Sequence, residues 1–381
     1  MNFLGGTLIL PRLARLLISM LGISLSLISN GQYLTEADSL RNIRVKLKGK
    51  KILVLPAVIK SIETGWGGGI AGSYFFRTDR VHDSLLRTSN IEGLGLYTER
   101  NQFVAALGVN IYFPDEKYIL HWRNTFSHYP DKFWGYGNDT PLSNEENYVF
   151  TQFFINPQFV RKVFHDFYVG ASYELQHVFN FEYTEGGIFD QQNITGRYGG
   201  TASGPGLILS WDSRDNAFSS AHGSFLQFSV NDFRKIFFSD FNYVSYVLDF
   251  RKYLSMWKHD VIAFQSYTHL NSGNVPIRNM AILGGSDIMR GYYEGRFTDY
   301  KMTAFQVEYR KHIWKRFGVV AFGGYGQVFN NVHQLSWRSL KCSFGGGFRF
   351  AVNQKERLNL RLDYGIGENS QGWYFSIREA F

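Results

Sequence analysis

One cysteine, Cys342, occurs in 381 residues. A single thiol excludes a disulfide framework, a cysteine-rich zinc site and a Cys-x-x-Cys pair within the chain. Its position also excludes an amino-terminal lipoprotein anchor. Beyond the first thirty or so residues, no stretch approaches the ~18 consecutive apolar residues of a membrane-spanning helix. Charged residues reach only 19%, below the usual quarter. The net charge is +8, but the basic residues are dispersed and form neither a run nor a recognition motif. Nucleic acid is therefore not an expected partner. G-x-S-x-G and H-E-x-x-H are both missing. The 10 histidines lack a paired, metal-ligating spacing. No two carboxylates have a defensible acid–base spacing. We expect no enzyme and no cofactor. "GGGIAG", Gly67 to Gly72, satisfies G-x-G-x-x-G, but "SYFFRTD" follows it and reads as a strand. A dinucleotide site needs a helix there, so no nucleotide is expected.

Aromatic residues and glycine fill the space that charge and proline leave. Phe, Tyr and Trp make up 17%, glycine numbers 39 and proline only 8. Mean hydropathy is nevertheless −0.20. Aromatic, glycine-rich and modestly polar is the composition of a transmembrane β-barrel, apolar outside and polar inside.

The amino terminus, "PRLARLLISMLGISLSLISNGQ", has the order of a secretory leader. Arg12 and Arg15 supply charge, Leu16 to Ile28 an apolar core, and Ser29-Asn30-Gly31 small residues before a cut. The expected organisation is a signal peptide at 1–31, a short periplasmic extension at 32–50 and a barrel at 51–381. The extension is too short for a folded module. A secreted, cysteine-poor, aromatic-rich chain points to the outer membrane of a diderm bacterium, with its lipids as the first partner.

From Lys51 on, the pattern is period two. In "RLNLRLDYG", Arg357, Asn359, Arg361 and Asp363 oppose Leu358, Leu360, Leu362 and Tyr364, which sets them on two faces of one strand. "AFQVEYR" does the same, with Gln306, Glu308 and Arg310 on the polar face. About sixteen such segments occur, an even number as a closed bacterial barrel requires. Each runs for roughly nine to twelve residues, enough to cross a bilayer at a tilt. Short connections (114–117, 161–166, 255–260, 311–316, 353–356) alternate with mostly long ones (127–146, 181–201, 272–302, 327–338), as periplasmic turns alternate with external loops. The last segment, "WYFSIREAF", puts Trp373, Phe375, Ile377 and Phe381 on one parity, as one terminal strand.

"LGGSDIMRGYYEGR", 283–296, resembles the sixth external loop of the Omp85 superfamily, the bacterial surface antigen or BamA/TamA-like barrels. The hallmark is Arg-Gly-aromatic, here Arg290, Gly291 and Tyr292, between strands eleven and twelve. "LSWDSRDNAFSSAHGSFLQFSV", 209–230, resembles a second signature: an Asp-x-Arg-Asp turn (Asp212, Arg214, Asp215) with a glycine, Gly223, opening the next strand. "FWGYGNDT", 133–140, is similar to a further family loop. Phe381 resembles the terminal signal by which such barrels reach their assembly machine. The resemblance implies an all-β, antiparallel barrel of about sixteen strands whose sixth loop folds inward. It implies that Arg290 latches onto acids of the inner wall, with Glu308 the first partner. The family's second acid stands on the next strand, where this chain reads "FGG", with Gly324 in the acid's place. Asp212, Asp249 and Asp363 are the other lumen-parity acids available. The family also implies a role in outer membrane biogenesis: inserting or translocating polypeptide, or assisting assembly or secretion components that do. Typical members carry periplasmic POTRA domains, and this sequence resembles the short branch without them. The alternatives are an accessory barrel that presents loops to partners, or a loop-plugged passive channel.

Overall fold

The computed structural model describes residues 52–76, 78, 89–216, 219–256, 260–354, 357–377 and 379–381. The expected leader and periplasmic extension lie outside them. The first half of the wall is β1 (Ile52–Ser61), β2 (Gly65–Phe76), β3 (Ser89–Thr98), β4 (Phe103–Tyr112), β5 (Tyr118–Phe133), β6 (Glu146–Phe164), β7 (Phe167–Glu182) and β8 (Gly200–Asp212). The second half adds β9 (Gly223–Phe233), β10 (Tyr243–Ser255), β11 (Asp260–Gly273), β14 (Lys301–Trp314), β15 (Phe317–Phe329), β16 (Lys341–Asn353), β17 (Leu358–Gly367) and β18 (Ser370–Ile377). Between β11 and β14 lie two short strands, β12 (Ala281–Leu283) and β13 (Phe297–Asp299), which pair only with each other. The other sixteen close into one antiparallel barrel. Among the described residues no helix is long and apolar enough to cross a membrane.

Alternation places the side chains. Phe344, Phe348 and Trp373 stand exposed on the outer wall, while Glu308, Arg361 and Asp363 are buried within. Charged side chains inside and aromatic ones outside invert the arrangement of a soluble sandwich. Lipid is the solvent in which that inversion is stable, and closure satisfies every strand edge that hydrocarbon cannot.

Two expectations need correction. Strands are not uniformly nine to twelve residues: β5 and β7 have 16 and β6 has 19. Their hydrogen-bonded ladders continue past the bilayer into a raised wall, so the connection placed at 127–146 shrinks to 134–145. Nor is Phe381 part of the last strand. β18 stops at Ile377, and the chain then turns into the barrel. There Glu379 accepts from Arg349 Nε at 2.6 Å, and Phe381 packs with Tyr253 and Ala263. Arg310 Nη2 donates to the Phe381 carbonyl at 2.7 Å. Parity could not reveal this, because the inward turn depends on guanidiniums of two other strands.

That turn leaves the barrel half-zipped at one place. Every other neighbouring pair is registered over seven or more positions, as in β8–β9. Between β1 and β18, Lys60 opposite Phe375 is the one registered pair among the described residues. In that register Ile377 falls opposite Val58, so Ile52–Ala57 extend beyond the end of β18.

Candidate functional site

The long β11–β14 connection supplies the side chain best placed to organise the barrel interior. Met289 has φ 56° and Gly291 φ 115°, a left-handed turn that aims Arg290 away from its own loop. Gly291 is also the only residue type that fits here: a Cβ would stand 2.7 Å from the Ile366 backbone. Arg290 is 1% exposed. Its Nη2 donates to Glu308 Oε2 at 2.5 Å and its Nη1 to Asp363 Oδ2 at 2.5 Å. The Phe322 ring lies 3.5 Å from the guanidinium carbon, so the cation also rests on a π face.

The acids are shared. Arg310 Nε donates to Glu308 Oε1 at 2.7 Å, and Arg349 Nη1 to Asp363 Oδ1 at 2.5 Å. Arg361 lies 3.2 Å from Asp287 and 3.6 Å from Asp363. With Glu379, four guanidiniums meet four carboxylates. Such balance is what lets charges remain ionised out of water. Backbone contacts fix the neighbours. Tyr374 Oη accepts from the Gly291 N–H at 2.9 Å, and Tyr292 Oη donates to the Cys342 carbonyl at 2.7 Å.

The structure brings Arg290, Gly291, Tyr292 and Glu308 together. It places Asp363, from β17, against Arg290 on the side opposite Glu308. Gly324 leaves room for the loop instead: a Cβ there would stand 3.2 Å from Met289 Sδ. Asp249 is occupied by Arg251 at 2.5 Å, and Asp212 by Arg214 at 2.8 Å. The 133–140 segment also joins this end. Its Gly137 N–H donates to the Thr298 carbonyl at 2.9 Å, and Arg296 Nη1 donates to Thr140 Oγ1 at 2.7 Å. The Asp212–Gly223 turn does not join. It lies at the opposite rim, where Asp215 Oδ1 accepts the Ala221 N–H at 2.9 Å and Asp215 also pairs with Arg357. Gly223, at φ 100°, lets the chain double back past the Ser213 carbonyl, which a Cβ would meet at 2.2 Å.

The far side of the loop meets a second polar cluster that the sequence did not mark. The Glu294 N–H donates to Glu63 Oε1 at 2.7 Å, which ties the loop to the β1–β2 turn. Tyr293 Oη donates to Asp131 Oδ1 at 3.0 Å, and Arg278 Nη1 to Asp131 Oδ2 at 3.1 Å. A cavity of about 220 Å³ opens beside them. Burial, then the charges of Glu63 and Asp131, push the Glu294 carboxyl up to about 8. A carboxyl raised in the folded state disfavours folding once the unfolded chain ionises, so stability falls as pH climbs from about 4 to about 8. Glu294→Gln should therefore raise the unfolding midpoint above pH 8 and leave it unchanged near pH 4. Equal midpoints at both pH values would refute the assignment.

Among the described residues no group of three or more His, Cys, Asp or Glu is placed to hold a metal. The arrangement positions a loop; its arginine bridges two strands and its tail-side partners reach the seam.

Residues 109–381 match the family model described as the Omp85 superfamily domain. No curated protein matches the chain. Among solved structures, BamA from Haemophilus ducreyi lacking POTRA domains 1–3 is similar at a TM-score of 0.58 and 12% identity, over 86% of this chain and 70% of that one. CdiB from Acinetobacter baumannii is similar at 0.54 and 13%, over 86% and 60%, and CdiB from Escherichia coli at 0.58 and 9%, over 86% and 62%. The chain thus spans about 60% of each CdiB chain. At these identities the structural likeness speaks for the fold, while the family model covers well over half of the sequence. The chain belongs to the Omp85 superfamily and is an integral β-barrel of the outer membrane.

Proposed function

We propose that this barrel acts in outer membrane biogenesis, inserting or translocating polypeptide or assisting a complex that does so. The observation that carries the reading is the seam: one registered pair joins β1 to β18, where every other join is a full ladder. An unpaired edge is a template for another strand, and a substrate polypeptide is the strand at hand. Pro56, inside the unmatched part of β1, lacks an N–H and keeps that edge incomplete. The Arg290 contacts support an inward-folded latch, in which the loop braces β14 and β17 and sets how readily the seam parts. The Asp212–Gly223 turn and the inward-turned Phe381 would hold the periplasmic end in shape. Partners are outer membrane lipids, substrate polypeptides and assembly or secretion components.

Depletion of the protein in its own host should lower the surface levels of other outer membrane proteins, read by quantitative surface proteomics. An unchanged surface proteome would remove the biogenesis reading. The cavity beside the loop favours a plugged passive channel as the second reading, with planar-bilayer conductance appearing when 284–296 is deleted.

A further inference from the structure

The β9–β10 connection does not stand above the rim. On β8, Leu207 and Leu209 face outward and are exposed, yet Ser203, of the same parity, is fully buried. On β7 the even positions Glu174, Gln176 and Val178 are buried, so Tyr173 also faces outward. Tyr173 Oη donates to the Phe237 carbonyl at 3.0 Å, and Ser203 Oγ donates to the same oxygen. Residues 235–238 therefore lie over the outer wall of β7 and β8. Asp240 anchors the return, accepting the Thr201 N–H at 2.7 Å and donating its own N–H to the Thr201 carbonyl at 2.8 Å. The tip presents Ile236 and Phe238, 76% and 84% exposed. Arg234, paired with Asp232 at 2.8 Å, and exposed Lys235 precede them.

Depth decides what covers this tip. Trp211, beside Phe164 at 6.4 Å, marks the periplasmic end of β8. Ser203 lies eight residues up the strand. That is roughly 26 Å at ~3.3 Å per residue, or about 20 Å of height at a tilt near 40°. The apolar band of such barrels is about 25 Å tall, so the tongue rests at its upper boundary. Two hydroxyls on a lipid-facing wall need a protein acceptor, since hydrocarbon offers none; the Phe237 carbonyl serves both. Apolar tips flanked by cations suit acyl chains below and lipid phosphate above.

We propose that residues 234–238 form a lipid-binding tongue. Ile236 and Phe238 insert among the acyl chains of the outer leaflet, and Lys235 contacts the phosphate of an anionic lipid. The test uses the whole barrel in vesicles, in a Cys342→Ser background. Phe238→Cys and, separately, Ile236→Cys carry an environment-sensitive fluorophore, and Trp337→Cys, on an exposed external loop, is the aqueous control. Both tongue sites should show blue-shifted emission and several-fold stronger quenching by lipids spin-labelled near the headgroup. Adding phosphatidylglycerol to phosphatidylcholine vesicles should deepen the quenching, and Lys235→Glu should cancel that gain. Emission and quenching equal to the control at both sites would overturn the proposal and leave a water-exposed loop. A phosphatidylglycerol effect that survives Lys235→Glu would overturn the headgroup contact.

Discussion

Arg290→Ala is expected to cost about 3–5 kcal/mol of stability, the loss typical when one partner of a buried ion pair is removed. Glu308 and Asp363 are both fully buried, and each loses a bond of 2.5 Å. Their remaining partners, Arg310 and Arg349, approach from the side away from the loop and cannot fill the space. Phe322 also loses its cation. The urea midpoint of the folded, heat-modifiable form should fall sharply, and protease should cut within 284–296. Arg290→Lys should recover only part of the loss, because an ammonium lacks the planar fork that reaches two acids at once. Arg290→Ala with wild-type midpoint and digestion pattern would refute the latch. Asp363→Asn makes the same point independently, since the amide keeps the shape and loses the charge.

How much of this was legible follows from which physics each feature depends on. Strands and their facing residues could be read because period-two alternation is local. "RLNLRLDYG" announces that Asp363 points inward, as "AFQVEYR" does for Glu308. Which inward acid meets Arg290 depends on the height and azimuth of each strand in the closed barrel, and no local pattern carries that. Gly324 therefore read as half of a missing lock, whereas Asp363 occupies the equivalent space from two strands away and the glycine makes room for Met289. Glu63 and Asp131 were invisible for the same reason: they meet the loop from far ends of the sequence. The inward turn at 379–381 and the outward tongue at 234–238 were illegible differently. Both continue an apolar pattern, and both are diverted by hydrogen bonds to residues on other strands.

Joining β1 to β18 covalently is expected to have the largest effect on function. Lys60 and Phe375 are directly opposed, and outward parity on both strands sets their side chains on one face. Opposed antiparallel residues have Cα atoms about 4.5–5.5 Å apart, within the disulfide range of roughly 4.4–6.8 Å. Lys60→Cys with Phe375→Cys, in a Cys342→Ser background, should therefore oxidise without distorting the sheet. The cross-linked barrel should fold and insert, since no native bond is lost. Surface levels of other outer membrane proteins should nevertheless drop to those of a depleted strain and recover on reduction. The latch variant sharpens the interpretation. Arg290 reaches Asp363, Asp363 reaches Arg349, and Arg349 holds Glu379, the residue whose inward turn ends β18 early. If the loop governs the seam through this chain of ion pairs, Glu379→Gln should lengthen the β1–β18 pairing and increase disulfide yield at positions beyond Phe375. A fully cross-linked barrel that sustains a normal surface proteome would show that polypeptide does not pass through the seam, and the biogenesis reading would fall with it.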